Sequence, residues 1–182
     1  MVHTIIDAYT DEASGLGVPP YIGTHVRYAA GVLKDPNYLT IDDLRLIDRE
    51  IKGKKVSRKQ LKTDRGVKNA TRPLEEVKEI LAKTKLLVIV GGVHVPGKYL
   101  SAQPASINEI VRLTKPYSCK KIMYGPAFYG SEVEGASATP KNYHKLMANH
   151  FNELISPGQL LKLVAYVENE EYTFKKENYS DI

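Results

Sequence analysis

The chain has 182 residues, 42% of them hydrophobic, with 26 Lys and Arg against 21 Asp and Glu, twelve Tyr, three Phe, no Trp and a single cysteine, Cys119. That length and apolar content suit one core of ordinary size, and one cysteine excludes both an internal disulfide framework and any site built from several thiolates. No apolar run approaches the roughly 20 residues needed to span a bilayer, and Met1 to Asp7 shows no secretory signal, so the expected location is the cytoplasm.

Taken in order, Thr4-Ile5-Ile6-Asp7-Ala8-Tyr9 is a short apolar run that ends at an acid and reads as a buried first strand. Asp11 to Pro20 holds Gly15, Gly17, Pro19 and Pro20 and predicts a loop. From Tyr21 to Leu33 the apolar residues recur at three- and four-residue spacing, predicting a helix stopped by Asp35-Pro36. Tyr38 to Ile41 reads as a second strand. Thr40-Ile41-Asp42-Asp43 then begins a helix with a capping-box pattern.

Residues 52–72 carry nine basic side chains, among them Lys54, Lys55, Arg58, Lys59, Lys62 and Arg65, against one acid, Asp64. This stretch lacks apolar periodicity and is expected to be an exposed, mobile insertion that by itself makes the chain basic. Pro73-Leu74-Glu75 opens the next helix, whose inner stripe is Val77, Ile80 and Leu81. Leu86 to Val90 is five consecutive apolar residues, as expected of a strand buried on both faces of a parallel sheet. Helices are expected over 106–113 and 143–154, a strand over 121–124, and a last strand or helix over 160–167; the tail, 168–182, is polar.

This alternation predicts an α/β domain over residues 1–167: a doubly wound, mostly parallel sheet with helices on both faces, Rossmann-like or flavodoxin-like. In such folds ligands sit outside the carboxyl ends of the strands. Three strand-end loops therefore carry the candidate binding residues: Gly15, Gly17, Pro19 and Tyr21 in the first; Gly91, Gly92, Val93, His94 and Gly97 in the second; Gly125 and Pro126 in the third. Gly91-Gly92 reads either as room for a ligand to approach bare backbone or as a tight turn.

No dinucleotide fingerprint and no Walker-type phosphate loop occurs. The five histidines are scattered without metal-binding spacing, so no metal site is expected. Asp7, Asp11 and Glu12 suit acid–base or Mg²⁺ chemistry at a strand end, but capping and solvated charge explain them better. Ser101 and Ser106 lie in no nucleophile elbow, and no catalytic residue is assigned.

Asp11-Glu12, Leu16-Gly17-Val18-Pro19-Pro20-Tyr21-Ile22, Val26-Arg27-Tyr28-Ala29-Ala30-Gly31, Thr40-Ile41-Asp42-Asp43-Leu44-Arg45 and Gly91-Gly92-Val93-His94-Val95-Pro96-Gly97-Lys98-Tyr99-Leu100 resemble the amino-terminal domain of archaeal radical S-adenosylmethionine proteins. The resemblance covers about residues 4–130 apart from the basic insertion. It implies a cobalamin-binding-like accessory domain, not catalytic alone, that takes a corrinoid or nucleotide-like ligand and supports a radical S-adenosylmethionine module in cis or in trans. Such proteins carry a three-cysteine motif downstream; this chain has none and holds no iron–sulfur cluster. Cobalamin domains that ligate cobalt use D-x-H-x-x-G, and the matching stretch here, Asp7 to Glu12, has no histidine. The resemblance thus implies cobalamin without a protein histidine ligand. The alternative function is nucleic-acid binding through the basic stretch 52–72.

Overall fold

The computed structural model describes residues 2–9, 22–33, 35–54, 67, 69–92, 102–129 and 143–168. Among them, five strands form one sheet: His3–Asp7 (β1), Asn37–Thr40 (β2), Leu86–Val90 (β3), Lys120–Tyr124 (β4) and Glu153–Ile155 (β5). Their order is β2-β1-β3-β4-β5, and every neighbouring pair is parallel. This is the flavodoxin-type order of a doubly wound sheet, so the α/β fold expected from the alternation of elements is the fold observed.

Six α-helices cover the two faces among the described residues: Thr24–Leu33 (α1), Ile41–Ile51 (α2), Leu74–Lys83 (α3), Ile107–Thr114 (α4), His144–His150 (α5) and Leu160–Glu168 (α6). Side chains alternate across a strand, so β3 feeds two cores. Leu87 and Ile89 join Ile6 and Met123 beneath Leu44 and Ile47 of α2, Val77 and Leu81 of α3, Ile110 of α4 and Met147 of α5. Leu86, Val88 and Val90 join Ile5, Ile122 and Tyr124 against Val26, Ala29 and Leu33 of α1 and Leu163 of α6. All five β3 residues are buried, which is why its sequence is an unbroken apolar run. No helix among the described residues is long and apolar enough to cross a membrane.

Two expectations need correction. The helix expected over 143–154 stops at His150: Phe151 turns extended (φ −96, ψ 144), and Glu153–Ile155 becomes the edge strand β5, parallel to β4. Leu154 lies at helical spacing from Met147 and Phe151, and three residues show too little alternation to reveal a strand. The stretch 52–72 is not exposed throughout. Lys52 to Lys54 are exposed, but Val67 is buried, and the backbone of Asn69 and Thr71 is bonded to α2. The ambiguous 160–167 segment is helical, and Pro73 stands at the cap of α3 rather than inside it. Of the tail 168–182, only Glu168 is described.

His150, at the end of α5, lies 2.7 Å from the Thr114 hydroxyl, which itself donates to the Ile110 carbonyl at 2.7 Å. That hydroxyl has one proton to give, so the ring Nε2–H of His150 donates to it. Burial, then Lys121 and Lys115, hold His150 below the ordinary histidine value of 6.5. The unfolded chain therefore takes up this proton first as pH falls. The stabilising contribution is full above the unfolded value and is lost as pH falls through it toward the lower folded value. The unfolding midpoint should drop between about pH 7.5 and 5, and His150→Gln should flatten part of that drop in a thermal scan. An equal slope in the variant would contradict this assignment.

Candidate functional site

Because the strands are in register, their last residues form a row: Thr40, Asp7, Val90, Tyr124 and Ile155. Strand order reverses between β1 and β3. The chain leaves β1 toward α1 and β2, whereas it leaves β3 in the opposite direction, so a crevice opens between them at the row.

The backbone ladder continues one step past the row. Ala8 N–H donates to the Val90 carbonyl at 3.0 Å, Gly91 N–H to Tyr124 at 3.0 Å, and Gly125 N–H to Ile155 at 3.2 Å. The next carbonyls are taken by the chain itself: Ala105 N–H donates to Ala8 and Ala127 N–H to Gly91. Gly91 is glycine for an internal reason. A Cβ there would lie 2.9 Å from both the Ala127 Cβ and the Met123 Sδ. Gly125 has φ +107, and its Cβ would lie 2.8 Å from the Gly91 carbonyl oxygen. The two glycines let the ends of β3 and β4 nest, so the space beside Gly91 is filled by the chain's own side chains. Gly92 is buried, and Pro126 opens the 3₁₀ turn Pro126–Tyr129. Gly15, Gly17, Pro19, Tyr21, Val93, His94 and Gly97 lie outside the described residues, as do Asp11, Glu12, Ser101, Lys55, Arg58, Lys59, Lys62 and Arg65; Lys54 is exposed.

At the β1 side of the crevice, Asp7 is fully buried. Its Oδ1 accepts from Tyr9 N–H at 2.9 Å and its Oδ2 from the Tyr38 hydroxyl at 3.0 Å. The first bond closes an Asx turn, which supports Tyr9 in the left-handed region at φ 58. Such a conformation costs a non-glycine residue about 1–2 kcal/mol. Burial first, then Asp42, push the Tyr9 phenol far above its ordinary value. Tyr9 therefore stays a neutral phenol, and its buried hydroxyl has no hydrogen-bond partner. Burial and then Asp7 do the same to Tyr38.

Next to it, the first turn of α2 holds a cluster of buried charge. Asp43 accepts from Thr40 N–H (2.8 Å), Thr71 N–H (2.8 Å) and the Thr71 hydroxyl (2.9 Å). Asp42 accepts from Asn69 N–H at 2.9 Å. Arg45 donates to both oxygens of Glu109 on α4 at 2.8 Å, to Asp42 at 2.9 Å and to the Gln103 carbonyl at 2.8 Å. Burial opposes the Arg45 charge, but Glu109 and Asp42 outweigh it and push its pKa up. The capping-box pattern pointed to Thr40 and Asp43; nothing in the local pattern pointed to Arg45, whose main partner is 64 residues away. Among the described residues, no three His, Cys, Asp or Glu converge to hold a metal ion.

On the opposite face of the same edge, the Tyr124 hydroxyl and the His25 Nδ1 are buried without hydrogen-bond partners. Their rings meet edge to face with centroids 6.0 Å apart.

The chain is 36% identical over 162 residues to an uncharacterized protein of Methanocaldococcus jannaschii, covering 86% of this chain and 24% of that one. It is 38% identical over 114 residues to an uncharacterized protein of Archaeoglobus fulgidus, covering 60% and 16% respectively. The chain thus spans a quarter or less of the length of these curated relatives. No protein-family model and no solved structure matches it.

The site geometry gives two expected outcomes. Arg45→Met strands Asp42 and Glu109 and should cost about 3–5 kcal/mol in urea unfolding; a loss within about 0.5 kcal/mol would show that the cluster bears no load. Gly125→Ala, forced against the Gly91 carbonyl at positive φ, should cost about 2–3 kcal/mol by the same measurement.

Proposed function

We propose that the chain is a ligand-binding α/β domain whose strand-end edge takes a corrinoid or nucleotide-like molecule, acting beside a radical S-adenosylmethionine module rather than as a catalyst alone. The observation that carries the binding reading is the reversal of strand order between β1 and β3, with buried hydroxyls left unpartnered on both faces of the row it opens. Buried polar groups in folded proteins are nearly always bonded, and each orphan costs about 1–3 kcal/mol unless a bound molecule or water completes it. Two orphans at the edge where doubly wound sheets hold their ligands favour a guest over chance. The corrinoid and the partner module come from the sequence resemblance. In the relatives the matching stretch is a fraction of a longer chain, which supports a domain that works beside another.

The residues present set a limit on how a corrinoid is held. Tyr9 stands where a cobalt-ligating histidine would fall in D-x-H-x-x-G, and it is a neutral phenol locked in a turn by Asp7. The chain supplies no cobalt ligand there; bound cobalamin would supply group- or radical-transfer chemistry without a side chain of this turn on its cobalt. The chain's part would be to hold and orient the molecule at the strand-end edge, where Pro126 is the partly exposed candidate among the described residues.

Titrating the full chain with cobalamin, followed by visible absorbance and calorimetry, should give binding heat or an absorbance change with a dissociation constant at or below about 100 μM. No heat and no spectral change up to that concentration would defeat the corrinoid reading.

A further inference from the structure

We infer that the first turn of α1, together with Tyr124 at the end of β4, forms a phosphate-binding subsite at the strand-end edge. The inference deepens the ligand-binding reading and rests on it: it gives the chemistry of one group of the guest.

Tyr124 has no exposed surface, ends β4 in the row beside Val90 and Ile155, and leaves its hydroxyl unpartnered. Its ring lies against that of His25, the second residue of α1, whose Nδ1 is also buried and unpartnered. Burial, then the neighbouring Tyr28 one turn along α1, hold the Tyr124 phenol above its ordinary value, so it remains a donor. Two buried polar atoms from different elements, on rings whose centroids are 6.0 Å apart, are thus left without a hydrogen-bond partner.

The helix adds the sign of the missing partner. The first N–H groups of any α-helix lack intrahelical acceptors, and that end carries partial positive charge. An acid is favoured there; the first turn of α1 has none, as in α5 and α6. Instead the chain places a cation. Arg27 bends back so that its Nε donates to the Ile22 carbonyl at 3.0 Å, just before the helix, and it makes no ion pair among the described residues. A guanidinium held at the positive end of a helix is electrostatically unfavourable unless an anion arrives. A phosphate group supplies several acceptor oxygens at once and answers the hydroxyl, the imidazole, the helix N–H groups and the charge together.

The test uses the full chain with inorganic phosphate, adenosine monophosphate and adenosine, read by NMR shifts of the His25 and Tyr124 rings. Both phosphate compounds should move these signals, and adenosine should not. Equal affinity for the two marks free phosphate as the natural guest; tighter binding of the monophosphate marks a phosphate ester. Tyr124→Phe should leave the unfolding midpoint unchanged or higher, because it removes an unbonded hydroxyl, yet weaken phosphate binding about tenfold; Arg27→Gln should weaken it severalfold. Silence of both ring signals at about 10 mM phosphate or monophosphate, or a Tyr124→Phe variant that binds as tightly, would overturn the subsite. Cobalamin binding without a phosphate response removes only the subsite; a phosphate response without cobalamin binding removes only the corrinoid.

Discussion

The five side chains of β3 have no more than 2% of their surface exposed, and the rest of the molecule follows from that burial. A strand apolar on both faces needs a helix layer on each side, and parallel neighbours need helical crossovers to reach them. Right-handed crossovers then put α1 on one face and α2 to α5 on the other, because the chain steps outward once, to β2, before it steps back past β1. The reversal that makes the crevice is therefore a consequence of filling both sides of one strand.

The buried charges of α2 solve a second problem. α2 ends at Ile51, and by Asn69 and Thr71 the chain lies beside the start of the same helix, where their two backbone N–H groups are bonded to its acids. Asp42 and Asp43 receive them at the positive end of the helix. Arg45 then balances Asp42 and reaches Glu109, which ties α2 to α4. A buried ion cluster adds little net stability against an apolar equivalent, but it fixes geometry. Here it fixes where an excursion of the chain ends, and it holds Thr40, the last residue of β2, in the row with Asp7.

Much of this was legible in the sequence because it is local. Periodicity gave β3, α1 and α3, and Thr40 and Asp43 marked the start of α2. What escaped was long-range or short. β5 has three residues and is a strand because β4 lies beside it. Val67 is one apolar residue in a basic stretch and is buried near Arg45 and Asp48 of α2 and Gln103. Gly91 and Gly125 were visible as strand-end glycines, but sequence alone does not say what occupies the missing Cβ. The answer, Met123, Ala127 and the Gly91 carbonyl, comes from the next strand and its turn. The orphan hydroxyls were beyond reach for the same reason, since an unmade bond is a property of the whole neighbourhood.

Those two hydroxyls sit in opposite fields. Tyr9 lies on the face of α2, where Asp42 and Asp7 raise its pKa beyond what burial does. Tyr124 lies on the face of α1, beside His25 and near the end of the molecule where Arg27 is held. On the proposed reading, an anionic group would sit on the α1 side of the row and the rest of the guest over the β1–β3 crevice. The edge thus carries the paired acids of α2 on one face of the sheet and the acid-free first turn of α1 on the other, and a guest of the proposed kind would meet two different faces.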